Sequence, residues 1–203
     1  MGILNSRVLC EEEIEDLLAT TVFTKQEINI LFQRFRMLNR SQQNYITFNE
    51  LMLIPEFHSN PLSGLILSAI ENYIQYENMT FAYFLDFMQL FSHKTDKKER
   101  IKFIFSAFDI NKDKKICKDV LLNIYTLMNG NSNICIEQAE ASVYRVLSLY
   151  DRGNKGYLSY KDFIRFYTSD PSLDKAMVID FSREIERYPK FGFRQFFKLN
   201  FFS

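Results

Sequence analysis

The chain has 203 residues, 47% of them apolar, enough for one large domain or two small lobes with real cores and too many for a disordered chain. Its 25 basic and 25 acidic residues cancel, so no chain-wide field commits it to nucleic acid. Phe is abundant at 21 residues and Trp is absent, while Cys10, Cys117 and Cys135 lack CxxC spacing and read as reduced cytosolic thiols.

The opening "MGILNS" fits the N-myristoylation pattern, with Gly2 as acceptor and Ser6 in place. One acyl chain gives marginal, reversible membrane binding, so stable anchoring would need a second contact. No run approaches the roughly 18 apolar residues of a membrane span, and no secretory signal pattern opens the chain. "TKQEINILFQRFRML" begins with a capping box, Thr24 to Glu27, after apolar Phe23. Ile28, Leu31, Phe32, Phe35 and Leu38 then fall on one helical face. "NPLSGLILSAIENY" has Asn60 as cap, Pro61 at the first helical position and a stripe through Leu65, Ile66, Ala69 and Ile70. The polar stretch "SHKTDKK" follows, and then "DKKERIKFIFSAF", with Asp96 and Glu99 as a box-like pair. "NGN" at 129–131 reads as a helix stop with Gly130 in the left-handed position. Strand signals are nearly absent, so the fold class is all-α.

A repeat organises these helices. Four polar twelve-residue loops, each flanked by helices, start at Asn39, Asn72, Asp109 and Asp151. Their eighth residues are apolar: Ile46, Met79, Ile116 and Leu158. That position joins a short strand bridge between paired loops, so the first loop should pair with the second and the third with the fourth. The implied domains are an acylation segment and helix at 1–22, a first lobe at 23–91, a linker at 92–98, a second lobe at 99–181 and a basic aromatic tail at 182–203.

The loops look like damaged Ca²⁺ sites. Such a site needs six to eight oxygens, a Gly at position 6 for the sharp turn and a bidentate Glu at position 12. The first loop keeps Glu50 at position 12 but offers only Asn39, Ser41 and Gln43 early on. The second has Ile74 at position 3 and Tyr83 at position 12, and no metal is expected there. The third has ligands in Asp109, Asn111 and Asp113, but Lys114 replaces the Gly and Val120 the Glu. The fourth keeps Asp151, Gly156 and Asp162, with Gly153 at position 3 and Lys155 at position 5. Both of these last two loops carry a net charge of +1, which opposes a dication. No cofactor is therefore expected to be required. Any ion that binds would be weak Ca²⁺ or Mg²⁺ at the third loop, with Asp151 and Asp162 a lesser site. In the third loop the Lys114 ammonium is expected to lie near Asp109 and Asp113 in the cation's place.

The ordered segments "EEEIEDL", "FTKQEINILFQRF", "IPEFHSNPL", "FIFSAFDINKDKKI" and "DKAMVIDF" resemble the calcineurin B-like branch of EF-hand proteins. Within it the chain is most similar to the calcineurin B homologous proteins, cofactors of plasma-membrane sodium/proton exchangers; the "EEEIEDL" start favours these over true calcineurin B. The resemblance implies two EF-hand lobes and a myristoylated start at Gly2. The chain departs from the family pattern in its damaged third and fourth loops, its short linker and its tail from 182 to 203.

An EF-hand pair that opens exposes an apolar groove for an amphipathic helix. Candidate walls are Phe84, Phe87 and Met88 in the first lobe and Ile104, Phe105, Leu121, Ile124, Met128, Val146, Leu147, Phe163 and Phe166 in the second, although helical periodicity alone does not separate a groove face from a core face. The tail, rich in Arg, Lys and Phe, has two open readings: a membrane contact that supplements the myristoyl group, or a stand-in target in the protein's own groove. No glycine-rich phosphate loop, HExxH or Cys/His nucleophile signature is present, and His58 and His93 are the only histidines. The expected function is that of a non-catalytic regulatory subunit at the cytoplasmic side of the plasma membrane or endomembranes. It would bind a juxtamembrane helix of an exchanger with little calcium dependence. The alternatives are a B-type subunit of a calcineurin-like phosphatase, or a weak calcium sensor.

Overall fold

The computed structural model describes residues 9–51, 63–74, 78–128, 135–169, 171, 174 and 178. Gly2, the cap at Asn60 and Pro61, the "NGN" stop, the side chain of Met128 and the tail lie outside the described residues.

Helix formation follows the local signals. Helix α1 (Glu11–Thr20) starts with the Cys10 N–H donating to Glu13 at 2.9 Å. Helix α2 (Lys25–Leu38) has the capping box in full: Thr24 Oγ1 accepts from the Glu27 N–H, and Glu27 Oε2 accepts from the Thr24 N–H at 2.7 Å. Two of the four orphan amide donors at a helix start are thereby satisfied. Helices α3 (Phe48–Leu51), α4 (Ser63–Ile74) and α5 (Phe81–Gln89) follow. Then come α6 (Lys97–Phe108), β1 (Lys115–Cys117) and α7 (Lys118–Met128), and finally α8 (Ile136–Tyr150), β2 (Tyr157–Ser159) and α9 (Tyr160–Ser169). Among the described residues the fold is all-α apart from the two short strands.

These residues divide into two compact units, one containing 9–51, 70–74 and 78–96, the other 63–69, 97–128 and 135–169. Each is built around a loop pair. In the first, Ile46 and Met79 exchange backbone hydrogen bonds of 2.9 and 3.2 Å as an isolated antiparallel bridge. In the second, β1 and β2 pair antiparallel with Ile116 opposite Leu158. All four side chains are buried, which pins the register, because a one-residue slip would expose them.

Aromatic rings fill both cores. In the first unit Phe81 lies edge-on to Phe32 at 5.0 Å and to Phe35 at 5.4 Å. In the second, Phe163 of α9 meets Phe105, Phe108 and Phe166 at 5.5, 5.9 and 5.9 Å. Each such ring buries roughly 150–250 Å² and edge contacts add to that. Two buried polar groups complement the packing. Arg100 of α6 holds both oxygens of Asp174, at 3.0 and 3.1 Å, while the buried Tyr167 hydroxyl donates to the same carboxylate at 3.1 Å. In the first unit Lys94 reaches Glu27 at 2.6 Å.

Glu27 thus serves a helix cap and an ion pair together. Burial alone would raise its carboxyl, but the Lys94 ammonium and the Thr24 donors outweigh it and hold the group below 4.5. A depressed carboxyl gives stability that is complete above the unfolded value and is lost as pH falls toward the folded one. Glu27→Gln is expected to cost about 1–3 kcal/mol at neutral pH. Its deficit against the native chain narrows as pH drops below 4.5, which urea unfolding at neutral and acid pH checks.

Candidate functional site

The four loops are the places where the chemistry of this chain departs from packing, and each begins with an Asn or an Asp. In the first, third and fourth loops that side chain ends the preceding helix by offering its oxygens to the loop backbone instead. Asn39 Oδ1 accepts from the Gln43 N–H at 3.1 Å. Asp109 accepts from Asp113 and Lys114 at 3.1 and 2.9 Å, and Asp151 Oδ2 accepts from Gly156 at 2.8 Å. Helices α2, α6 and α8 stop one residue before these positions. The second loop differs, since α4 continues through Asn72 to Ile74, two residues beyond the expected start.

The turn geometry explains the sequence preference at position 6. Gly156 has φ +81° and Lys114 φ +61°, so the third loop makes the same left-handed turn with a residue that has a Cβ. Such a conformation costs an L-residue roughly 1–2 kcal/mol. Position 12 has changed its role there as well. Val120 is 5% exposed and packs into the core of the second unit, where a metal site would place a carboxylate. Asp109, Asn111 and Asp113 are left without a closing partner, and they face solvent except for the half-buried Asp109. Among the described residues no ion pair contains the Lys114 ammonium, which corrects the expectation that it stands in for a cation; only its backbone N–H reaches Asp109.

The first loop is closed from within. Glu50 at position 12 accepts from the Ser41 N–H at 2.9 Å and from the Thr47 N–H at 2.9 Å. Burial would raise this carboxyl, but the amide donors of Thr47 and Ser41 dominate and push it down to about 2. The exiting α3 is thus tied to the third residue of the loop by the protein alone.

The fourth loop brings its two carboxylates together around an ammonium. Lys155 bonds Asp151 Oδ1, lies 3.1 Å from Asp162 Oδ2, and donates to the Arg152 carbonyl at 2.6 Å. Asp162 also accepts from the Ser159 N–H at 3.0 Å and pairs with Arg165. Every oxygen of Asp151 and Asp162 therefore has a protein donor. Burial opposes both charges, yet the Lys155 contact with Asp151, and the Ser159 and Lys155 contacts with Asp162, hold both carboxyls below their ordinary values. A divalent ion does not fit these side chains, since Gly153 supplies no oxygen and the ammonium occupies the focus. Among the described residues no three His, Cys, Asp or Glu side chains converge as a metal-binding group.

The candidate groove residues sit mostly in the cores. Phe84, Phe87, Met88, Ile104, Phe105, Leu121, Ile124, Val146, Phe163 and Phe166 are buried within their own units. Leu147 is half-buried and, with Lys118, Glu140, Ala141 and Tyr144, lines an open depression on α7 and α8. On that side of α8, Ile136 and Tyr144 are 75% and 74% exposed. This stripe escapes a reading of the sequence because its spacing of eight and three residues looks like any buried helical face. Arg165 escapes it too, although its place three residues after Asp162 is a recognisable helical ion-pair spacing.

An EF-hand domain pair is matched over residues 98–168. The type 2 calcineurin B protein of Dictyostelium discoideum, a subunit of calcineurin, is 34% identical over 163 residues, 80% of this chain and 87% of the relative. The chain belongs to the calcineurin B-like family of EF-hand proteins. The calcineurin B protein of Candida glabrata is 33% identical over 163 residues, covering 80% of this chain and 89% of the relative. That of Naegleria gruberi is 28% identical over 179 residues, covering 86% and 97%. In this calcineurin B-like chain the hand architecture is retained while protein donors take the carboxylate oxygens of the first and fourth loops.

The third loop lacks only the turn Gly and the closing Glu. Lys114→Gly with Val120→Glu restores both and is expected to bind one Ca²⁺ by calorimetry. Bound calcium should then stabilise the variant by about 2.7 kcal/mol at a hundredfold excess over Kd. A silent titration would count against the third loop as a latent site.

Proposed function

We propose that this chain is a non-catalytic, B-type regulatory subunit that holds an amphipathic helix of a phosphatase catalytic subunit, with little or no calcium dependence. The observation that carries this reading is the 34% identity over 163 residues, reaching across 87% of a relative named as a subunit of calcineurin. A protein related along that much of its length to subunits is expected to work attached to a larger partner. Calcium indifference is supported by the loops, where protein donors take the carboxylate oxygens of Glu50, Asp151 and Asp162. The exposed apolar side of α8 supplies a surface in the second unit suited to an amphipathic helix.

A second reading places a juxtamembrane helix of a sodium/proton exchanger in the partner's role. It draws on the "EEEIEDL" segment, which forms most of α1. The names of the relatives favour the phosphatase, so the exchanger stands second. Myristoylation at Gly2, with the basic aromatic tail as a further contact, would bring either complex to the cytoplasmic face of the plasma membrane or of endomembranes. Among the described residues no helix is long and apolar enough to cross a membrane.

Binding of the full chain to two synthetic helices separates these readings, one from a calcineurin catalytic subunit and one from an exchanger's juxtamembrane segment. The phosphatase helix is expected to bind more tightly, with Kd equal in calcium and chelator to within about threefold, less than 1 kcal/mol. Preference for the exchanger helix would reverse the order of the two readings. Binding that required calcium would overturn the calcium-indifferent part of both.

A further inference from the structure

The fourth loop holds two buried charges that need an explanation. Asp151 and Asp162 are the first and last residues of the loop, and both side chains are 4% exposed. Two carboxylates so placed cannot both stay ionised without a cation near them. Position 5 supplies one. The Lys155 ammonium has three protons and three acceptors: Asp151 Oδ1, Asp162 Oδ2 and the carbonyl of Arg152. It also lies 5.4 Å from the centre of the Tyr157 ring, a further cation contact at position 7.

We infer that the Lys155 ammonium is the resident cation of the fourth loop, a tethered monovalent group in the place of a divalent ion. Asp162 stands in the first turn of α9 and Asp151 at the end of α8. The ammonium therefore joins the exiting helix to the entering one, as an ion shared by both carboxylates would. An ion in solution occupies such a site in proportion to its concentration, whereas a cation on the same chain is present at a fixed high effective concentration. The hand is thus held in a single cation-loaded arrangement whether calcium is present or absent. A divalent ion would have to displace the ammonium, would find no side-chain oxygen at Gly153, and would meet Arg165 beside Asp162. Replacing the lysine with a carboxylate converts the loop into a site for a hard divalent or trivalent cation.

This lock deepens the calcium-indifferent reading proposed above, but its test needs no partner, so its failure leaves the choice of partner helix standing. The probe is Tb³⁺ added to the full chain, read as emission sensitised by tyrosine, with Tyr157 lying in the loop itself. The native chain is expected to give the same Tb³⁺ titration as Asp162→Asn, because nothing binds the fourth loop in either. Lys155→Asp, which supplies a carboxylate at position 5, is expected to add a component at least tenfold tighter, and Asp162→Asn in that background to remove it. In chelator, Lys155→Met keeps the aliphatic stem and loses the charge, and its Tm is expected to fall by about 3 °C. Native emission that Asp162→Asn abolishes would overturn the proposal, since the metal would then displace the ammonium. A Lys155→Met variant that melts with the native chain in chelator would also overturn it, since Arg165 and the amide donors would then suffice for the two carboxylates.

Discussion

The twelfth residue of a loop in a helix–loop–helix hand stands on the first turn of the exiting helix, so its partner sets how that helix leaves. In a metal-binding hand the partner is the ion, and the helix angle follows its concentration. Here the partners are protein atoms. Glu50 is held by the amides of Ser41 and Thr47, Asp162 by Lys155, Ser159 and Arg165, and Val120 by the core. These are three different physical solutions: hydrogen bonds to fixed amides, a tethered charge and apolar burial. All three are supplied by the chain's own atoms.

The antiparallel bridges are likewise made by the chain itself. Ile46 with Met79, and Ile116 with Leu158, join the members of each loop pair through main-chain hydrogen bonds and bury all four side chains. The bridge supplies coupling between two hands that does not pass through a metal. Below it, Phe81 in the first unit and Phe163 in the second gather rings from both helices of a pair. A loop can therefore lose its ligands without the hand losing its shape, provided that its carboxylates are compensated or removed. The third loop marks the limit of this tolerance, for its Asp109 and Asp113 have backbone amide donors but no cationic side chain in an ion pair among the described residues, and it carries the strain of a left-handed Lys114.

What can be read from the sequence follows the range of the interactions involved. The Thr24–Glu27 box is three residues long and is formed as its pattern suggests. The pairing of loops is legible because position 8 is apolar in all four loops. The family is legible because ordered segments recur along most of the chain. The cation in the fourth loop is not. Lys155 has a four-carbon stem that can point to solvent or inward, and net loop charge does not say which. The same count leads to Lys114 as the internal cation, but left-handed φ at that residue turns its backbone N–H, and not its ammonium, toward Asp109. The groove residues illustrate a second limit. Ile104 and Tyr144 have equally helical spacing, yet one is 1% exposed and the other 74%, a difference set by tertiary packing that no local pattern encodes.

A hand held by its own groups responds to different variables than a metal-loaded one. Calcium sensing requires a loop whose energy changes when an ion arrives, and that change is largest where uncompensated carboxylates wait for it. Compensation, as at Asp151 and Asp162, removes the waiting charge from that loop. On the proposed function, what remains is a scaffold that presents its apolar surfaces with or without the ion. Such a protein suits an assembly that is meant to persist, in which the partner is bound once and regulation enters through another route, such as acylation at Gly2 or the supply of the partner. The loops have therefore changed partners and not merely lost them: Lys155 lies between the two carboxylates of the fourth loop, the amides of Ser41 and Thr47 hold Glu50 in the first, and Val120 is buried at the end of the third.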